Sequence, residues 1–594
     1  MVGLPYDCVA NPHGAVRLTF EKAVAASQDA DSVAALCGKD WGAVDLFRMF
    51  LFEEDGLSKV PILNKSSLPW IKPNTLVRFR GMVQDMLGNE LYIGAFKDGS
   101  TWRTNKFTDV ACRPIPSSCQ SFLWERRLFV CVPVPGQNSW ILDAAPQVVL
   151  NSYDKDDASQ HGEKRMRDAS HDAMELNVLD EMDSSCSKKQ REDEHIFQSC
   201  QSLVGEAVLQ GGMLENRNNL GESSFSCLVK AYDLPESHLK LNDVFEFIGI
   251  YTFDPELVHM SSTDDSSFDL MEDVSNQLPP NKVPRLHCLV SRKLAVQDFL
   301  SGSLALQPLP NVMSDIRESL LVHLSALLGN DTVAAQFLLL HLLSRVRHTM
   351  DVIAVGKLSL NLTGFNRESA SVFGNQLNDI IMELFPFSKV IPLSVEYLNN
   401  AVLQPRKDNQ SGRLVTGVLQ LAEGTHLTID ETHLQAGVLN SVGVENARLL
   451  KNLMEWQTVQ YDFEYYKIEM AADIQMLIFS EGKSNILPAD MILPFRPESF
   501  VRVKKASTEE LQAWRWYLAT VKSLHYSNGP QVQQMLEDEI VAAMREDRSL
   551  GYKDLERVLI MAQLLSASLG ERSVSLEQWQ KAKELEKLRK ERLR

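Results

Sequence analysis

Two carboxylates stand side by side at the end of an apolar run, Leu427-Thr-Ile-Asp430-Glu431. Paired acids at the carboxyl end of a buried strand are what a phosphoryl-transfer site uses to support Mg²⁺ and to polarise water. Such a site also needs a cradle for phosphate. The stretch Gly364-Phe-Asn-Arg-Glu-Ser369-Ala370-Ser371 follows a short apolar run, Leu358 to Leu362, where the cradle would lie. A working cradle reads G-x-x-x-x-G-K-[ST]: glycine lets backbone N–H groups close on phosphate, and lysine neutralises it. Here Ser369 stands at the second glycine and Ala370 at the lysine. Removing that lysine removes the charge-assisted part of phosphate binding. No residue is therefore given a catalytic role, and neither a cofactor nor a metal is expected. The nine cysteines include no C-x-x-C pair, so a zinc ribbon or a redox dithiol is not expected either. An odd number in a long chain points to a reducing compartment.

The elements that would hold these residues come next. The chain has 594 residues, 44% of them hydrophobic and 23% charged, enough for more than one core. From about residue 310, helices alternate with short strands, the pattern of a mostly parallel sheet flanked by helices. Ile316 to Leu328 reads as a helix stopped by Gly329, and Asp331 to Val346 as a second one capped by Asn330 or Asp331. Short strands are expected at 358–362, 427–429 and 474–479, with helices at 370–384 and 446–456. After 506 the chain reads as helical. Ser507-Thr-Glu-Glu510 and Ser575-Leu-Glu-Gln578 are capping boxes. The basic C-terminal helix end, with seven bases and three acids from Lys581 to Arg594, reads as a solvated end suited to the helix dipole.

The first 150 residues are strand-rich. Val77, Phe79, Gly81 and Val83 alternate with Arg78, Arg80, Met82 and Gln84, which predicts a half-buried strand. Leu87-Gly88-Asn89 reads as a turn before a second strand, Leu91 to Phe96, with a third at Leu128 to Val134. The window Lys72 to Val83 matches Lys240 to Tyr251 at Lys, Asn, Phe and Gly. Both resemble the opening strand of an OB-type barrel, bent at Gly. Two small barrels, or one β-domain using the pattern twice, would explain the match. Between them, 151–224 reads as a disordered insert; Asn151 to Cys200 holds 13 acids and 7 bases with few aromatics. Its clusters Lys164-Arg165-Met-Arg167 and Lys188-Lys189-Gln-Arg191 form a possible bipartite nuclear import signal. Tyr251 to Asn281 carries seven acids and no Lys or Arg, an acidic loop.

Two function classes lose ground on charge and length. The net charge of −18 opposes a broad nucleic-acid surface, which needs a positive field. Val333 to Leu343, the longest apolar-rich stretch, is too short to span a bilayer, and the N-terminus does not read as a signal peptide.

Leu453-Met-Glu-Trp-Gln-Thr-Val459 ends a helix after the Asp430-Glu431 strand. Together these stretches resemble the ATPase module of the minichromosome maintenance (MCM) helicase subunits. Leu328-Gly-Asn-Asp-Thr-Val333 resembles its entry, and Asp554 to Leu585 its helical lid. The arginine-finger element Ser-Arg-Phe-Asp is absent near Leu493 to Pro497. Ser480-Glu481 stands where a sensor Asn is expected. The whole chain resembles the MCM complex-binding protein family, in its plant branch. The carrying stretches are Lys72 to Met86, Cys131 to Trp140, Leu414 to Leu421, Ser480 to Ser484 and Leu487 to Asp490.

The resemblance implies a multidomain α+β chain. Its parts would be an N-terminal region with OB-like strands (1–150), the disordered acidic linker (151–224), a second OB-like β segment (225–300), a degenerate AAA+/MCM-like α/β core (310–505) and a helical lid (506–594). It implies a nuclear, non-enzymatic partner of MCM helicase subunits that mimics a subunit. The roles implied are in DNA replication, in helicase assembly or unloading, and in sister-chromatid cohesion in the mitotic cell cycle. No membrane contact and no direct DNA binding are expected. The rival readings are a weak ATPase using Asp430 and Glu431, and a single-stranded-DNA-binding OB protein.

Overall fold

The computed structural model describes residues 7–26, 36, 39–53, 56–109, 119–143, 225–233, 239–253, 278, 283–300, 308–350, 353–499, 503–525, 529–546 and 551–594. The expected insert, its basic residues Lys164, Arg165, Arg167, Lys188, Lys189 and Arg191, and most of the acidic loop after Tyr251 lie outside the described residues. The fold is mixed α/β with several sheets.

The first six strands are β1 (Leu76–Asp98), β2 (Thr101–Thr104), β3 (Ser121–Val132), β4 (Cys227–Ala231), β5 (Val244–Thr252) and β6 (Arg285–Lys293). They run in the order β2-β1-β3-β4-β6-β5, and β5 returns to β1, so five of them close into a ring. Within the ring, β4 and β6 are parallel and the other pairs antiparallel. Closure removes free sheet edges. Helices α1 (Pro12–Ala25) and α2 (Ala43–Arg48) cover one side, where Phe20 and Phe47 pack with Tyr92, Trp124 and Ile250. Asp109, Glu90, Arg126, Lys230 and His287 form a buried ion network in the ring. Its charges hold the Asp109 carboxyl well below its usual range against the opposing effect of burial.

Two expectations change here. The turn at Leu87-Gly88-Asn89 does not form. β1 runs through as one strand of 23 residues, and Gly88 (φ 91°) sits at a register shift against β3. Pairing with the long β3 overrides the local turn chemistry, and glycine absorbs the extra residue as a bulge. Nor is β1 half-buried, because Arg78, Met82 and Gln84 are buried alongside Val77, Phe79 and Val83. The outer face is covered: Arg78 and Arg80 both donate to Glu246 of β5, at 2.7 and 2.8 Å.

The repeated window has a single geometric cause. Its two copies pair with each other, with Phe79 opposite Phe247 at the centre. Asn74 donates its N–H to the Tyr251 carbonyl, and Asn242 donates to that of Val83. Both asparagines take positive φ, 64° and 69°. The recurrence is thus a local two-fold axis within one ring, not a second barrel.

The second half begins with α3 (Pro310–Leu327) and α4 (Thr332–Leu343), then a short hairpin, β7 (His348–Met350) and β8 (Ile353–Val355). A parallel sheet follows, built from β9 (Leu360–Thr363), β10 (Ser388–Pro392), β13 (Thr425–Asp430), β16 (Ile474–Ser480) and β17 (Met491–Pro494), in the order β10-β13-β16-β9-β17. The helices around it are α5 (Asn375–Leu384), α6 (Val395–Asn400) and α7 (Ser441–Trp456). A smaller sheet takes the order β12-β11-β14-β15, from Arg413–Val415, Arg406–Asp408, Thr458–Asp462 and Lys467–Ala471. β9, β13 and β16 are buried nearly throughout, and in β9 and β13 this includes polar residues that alternate with the apolar ones, Asn361, Thr363, Thr425, His426 and Thr428.

The C-terminal helices are α8 (Thr508–Ser523), α9 (Pro530–Glu546), α10 (Tyr552–Ser568) and α11 (Leu576–Leu593). Ser507 and Glu510 form the expected capping box, and Ser575 caps α11 by accepting from the Gln578 N–H. α11 is tied back through Arg592, whose guanidinium donates twice to Asp331, at 2.7 and 2.8 Å. Asp331 is also the N-cap of α4 and accepts the Arg496 N–H. One buried carboxylate therefore joins the entry helix, the edge of the sheet and the last helix.

The ring and the α/β unit meet along a polar seam. Gln84 Nε2 donates to the Leu414 carbonyl at 2.7 Å, and Gln420 Nε2 donates to the Gln84 carbonyl at 2.9 Å. Asp85 accepts the Leu414 N–H at 3.0 Å and pairs with Arg413. Asn138 donates to the Phe385 carbonyl and to Ser388. Trp140 donates to the Met382 carbonyl, and the Arg515 guanidinium lies 3.8 Å over its ring. Asn242 and Tyr461 also bond across. Removing one side of such a buried pair strands the other, at a cost of about 1–3 kcal/mol. Asp85→Ala is expected to lower the thermal midpoint by that measure and to open new protease sites on both sides of the seam; an unchanged midpoint and digest would show the seam to be energetically idle.

Candidate functional site

The phosphate-cradle position lies where β9 ends, between the ends of β16 and β17. Gly364 (φ 93°) turns the chain, and its N–H donates to the Glu481 carbonyl. The Phe365 N–H donates to the Ser480 carbonyl. The Phe365 ring turns inward and is wholly buried, stacked between Phe479 and Phe495 with centroids 4.9 and 4.7 Å away. Asn366 then caps the next helix. Its Oδ1 accepts the Ser369 N–H at 2.8 Å, and its own N–H donates to Ser369 Oγ at 2.9 Å. In a cradle these first N–H groups would point at an anion; here a side chain takes one of them. Ala370 is buried, and Ser371 Oγ donates to the Glu368 carbonyl. From Ala370 to Gly374 the helix widens into a π turn before α5.

The two acids stand at the end of β13, where the strand pattern puts them. Asp430 closes a local turn: its Oδ1 accepts from the Thr432 N–H and hydroxyl, at 2.9 and 2.6 Å. Glu431 is buried and accepts from Ser484 Oγ at 2.6 Å. Burial pushes its carboxyl above the ordinary range, against the Ser484 bond. An acid so placed favours the neutral form at the expense of the charge a metal ligand needs. Ser480, at the sensor position, donates to Asn361 Oδ1. Each candidate polar group is thus spent on a neighbour in the same chain. Among the described residues, no three His, Cys, Asp or Glu side chains converge as a metal site, and no helix is long and apolar enough to cross a membrane.

A polar cavity of about 80 Å³ lies instead against the seam, lined by Asn242, Lys293, Arg345, Glu423, Asp473 and Lys522 among others. Lys522 is buried and donates to Gln475 Oε1 at 2.9 Å, with its Nζ 4.4 Å from the Phe385 ring centre. Burial pulls this lysine down to about 7 and pushes Asp473 up to about 6. Nearby, His341 Nδ1 faces the Leu358 carbonyl, so its Nε2 accepts from His426 Nε2 at 3.1 Å. Sequence reading missed both the seam and this cavity. Their signal was present in part, because Gln84, Asp85, Asn138, Trp140, Leu414 and Gln420 fall inside the stretches that carry the family resemblance.

Comparison with known proteins gives one consistent result. A family model described as mini-chromosome maintenance replisome factor matches residues 47–593. The chain is 52% identical to a mini-chromosome maintenance complex-binding protein of Arabidopsis thaliana, with 100% of each chain covered. It is 33% identical to the protein of that name from Danio rerio and 32% to that from Homo sapiens, covering 93% of this chain and 94% of each relative.

Two measurements probe these sites. The first restores the missing cation. Ala370→Lys is expected to bind no Mg²⁺–ATP at millimolar concentration by calorimetry, because Asn366 still takes the N–H at the helix start; saturable binding would show that the lysine alone was lacking. The second follows Lys522. Its folded-state pKa lies below the unfolded value, so the unfolded chain binds the extra proton between about pH 7 and 10.5. Stability from this group therefore rises with pH across that window. The stability of the wild type relative to Lys522→Met is expected to grow by about 1 kcal/mol per pH unit from pH 7.5 to 10; parallel curves would remove the assignment.

Proposed function

The chain belongs to the mini-chromosome maintenance complex-binding protein family, and from that premise we propose that it binds the MCM helicase as a non-enzymatic partner shaped like one of its subunits. The observation that carries this reading is a parallel α/β sheet in which, after β9, Phe365 turns into the core and Asn366 caps the helix start that a phosphate would otherwise take. The order β10-β13-β16-β9-β17, with the cradle position after the inner strand β9 and the paired acids after β13, supports a degenerate AAA+/MCM-like core over 310–505. Helix α11, anchored to β17 through the Arg589–Ile492 bond and to Asp331 through Arg592, and α10, whose Arg557 donates to the Asp490 carbonyl, support the lid reading of 506–594. The closed five-stranded ring with one parallel pair supports an OB-like barrel assembled from both 1–150 and 225–300.

Motor rings assemble by head-to-tail contacts, in which each subunit offers two different faces. A protein with a subunit's outline can occupy one such face. It brings neither the cradle lysine nor an arginine finger, so the shared site stays incomplete. Occupancy then blocks or remodels the ring without ATP turnover by this chain. That places the protein in helicase assembly or unloading during DNA replication and, through replication, in sister-chromatid cohesion. Its work is nuclear, with Lys164, Arg165, Arg167, Lys188, Lys189 and Arg191 as the import signal. The single-stranded-DNA reading is weakened by Arg78 and Arg80, which share an ion pair with Glu246 and are thereby held within the ring wall.

Purified full-length protein is expected to capture recombinant MCM subunits equally with and without ATP. It is expected to show no saturable, Mg²⁺-dependent nucleotide binding. Recovery of no subunit would end the proposal. Nucleotide binding that disappears in Asp430→Ala would replace it with a weak ATPase.

A further inference from the structure

The hairpin of β14 and β15 closes one side of the smaller sheet, and β15 has β14 as its one strand partner among the described residues. Lys467, Ile468 and Glu469 open β15, and all three are exposed. Successive side chains of a strand point to opposite faces, so neither face is covered at this end. Lys467 and Glu469 share one face, and Ile468 takes the other. Of all the lysines in the chain, Lys467 is the only one with a glutamate two places further on. The residue before it is aromatic, Tyr466, and is 56% exposed.

The hairpin holds this segment extended on its own. The Tyr466 ring stacks on Phe463, with centroids 5.2 Å apart and planes 10° from parallel. The Phe463 N–H donates to the Tyr466 carbonyl at 2.9 Å, and Glu464 takes a positive φ of 67° at the tip. Pairing then sets Lys467 opposite Asp462 and Glu469 opposite Gln460. A segment fixed before it is bound loses less entropy on binding.

Lys467 is also easily released. Its Nζ donates to Glu445 Oε1 at 3.4 Å, in a solvent-facing pair of the kind that contributes little to stability. Glu445 is held independently by Arg448, which donates to its two oxygens at 2.8 and 2.6 Å. Withdrawing Lys467 therefore strands no charge.

Lysine is the acceptor for ubiquitin-type conjugation. A conjugating enzyme that reads its acceptor directly needs an extended strand. It also needs an apolar or aromatic side chain before the lysine, and an acid two places after it to meet basic groups beside the enzyme's thioester. Tyr466-Lys467-Ile468-Glu469 offers each of these on an accessible edge. We infer that Lys467 is an acceptor site for a small ubiquitin-like modifier. The Lys467 Nζ lone pair attacks the carbonyl carbon of the modifier's C-terminal glycine, held as a thioester on the enzyme's cysteine. The N–C bond forms and the C–S bond breaks. The cysteine leaves as a thiolate, and the amine's proton passes to solvent. The site goes beyond the proposed function and does not depend on it.

The test incubates the full-length protein with the small ubiquitin-like modifier, its activating and conjugating enzymes and Mg²⁺–ATP. Adducts are followed by gel shift and located by peptide mass spectrometry. Wild type is expected to carry the branched glycine remnant on Lys467. Lys467→Arg should lose the main adduct. Glu469→Gln, which keeps the lysine, should slow its formation by about tenfold or more. Lys553→Arg, at an exposed lysine of α10 with no acid two places on, should react as wild type does. All three variants should keep the wild-type thermal midpoint, which separates lost recognition from lost fold. No adduct on wild type, or one that persists in Lys467→Arg at the wild-type rate, overturns the site. An adduct on Lys467 that is indifferent to Glu469→Gln overturns it too, because the lysine is then merely accessible.

Discussion

The seam between Gln84–Asp85 and Arg413–Gln420 fixes where the two halves stand. Its contacts join residues about 330 positions apart, and they use main-chain groups on both sides, so they specify register as well as proximity. Apolar contact alone would tolerate sliding. Directional bonds do not, because a shifted register leaves buried donors and acceptors unmatched. Asn138 and Trp140 repeat the arrangement on the β10 side, and Asn242 with Tyr461 completes it from β5. The ring thus grips the sheet at several separated points. The closed barrel matters for the same reason, since a ring without free edges holds β1 rigid enough to serve as the grip.

Several of the stretches that carry the family resemblance lie along this joint. Lys72 to Met86 supplies the ring's half of the seam and Leu414 to Leu421 the α/β half, while Cys131 to Trp140 supplies the third grip. Residues at a joint are constrained by two partners at once. At the end of β9, Phe365 turns inward to join Phe479 and Phe495, and Asn366 satisfies the start of the next helix.

Local signals were legible and long-range ones were not. Gly329 as a helix stop, Asp331 as the α4 cap and the Ser507–Glu510 box could be read, because each depends on residues within one turn. The short strands β9, β13 and β16 could be read for the same reason, and with them the strand-end position of Asp430 and Glu431. The Leu87–Asn89 turn was misread because pairing to β3 outweighed local chemistry. The burial of Arg78 was misread because Glu246 lies 168 positions away. The match between Lys72–Val83 and Lys240–Tyr251 was visible, yet only pairing distinguishes a local dyad from two barrels. Nothing short-range announced that Phe365 would turn into the core, since an aromatic after glycine is equally at home on a surface.

A sheet that keeps its strand order while its functional groups turn inward has exchanged one source of stability for another. Glu431 bonds Ser484, Asp430 closes its own turn and Ser480 bonds Asn361. In a nucleotide site such groups must stay unpaired until ligand arrives, and that strain is stored at the expense of the fold. Here these groups are paired within the chain, although Nδ2 of the neighbouring Asn361 stays buried without a partner. On the proposed reading, a subunit look-alike whose bonds at these strand ends are already made within one chain would keep its shape whatever the nucleotide state of its neighbours, as a protein that enters or opens a ring would require.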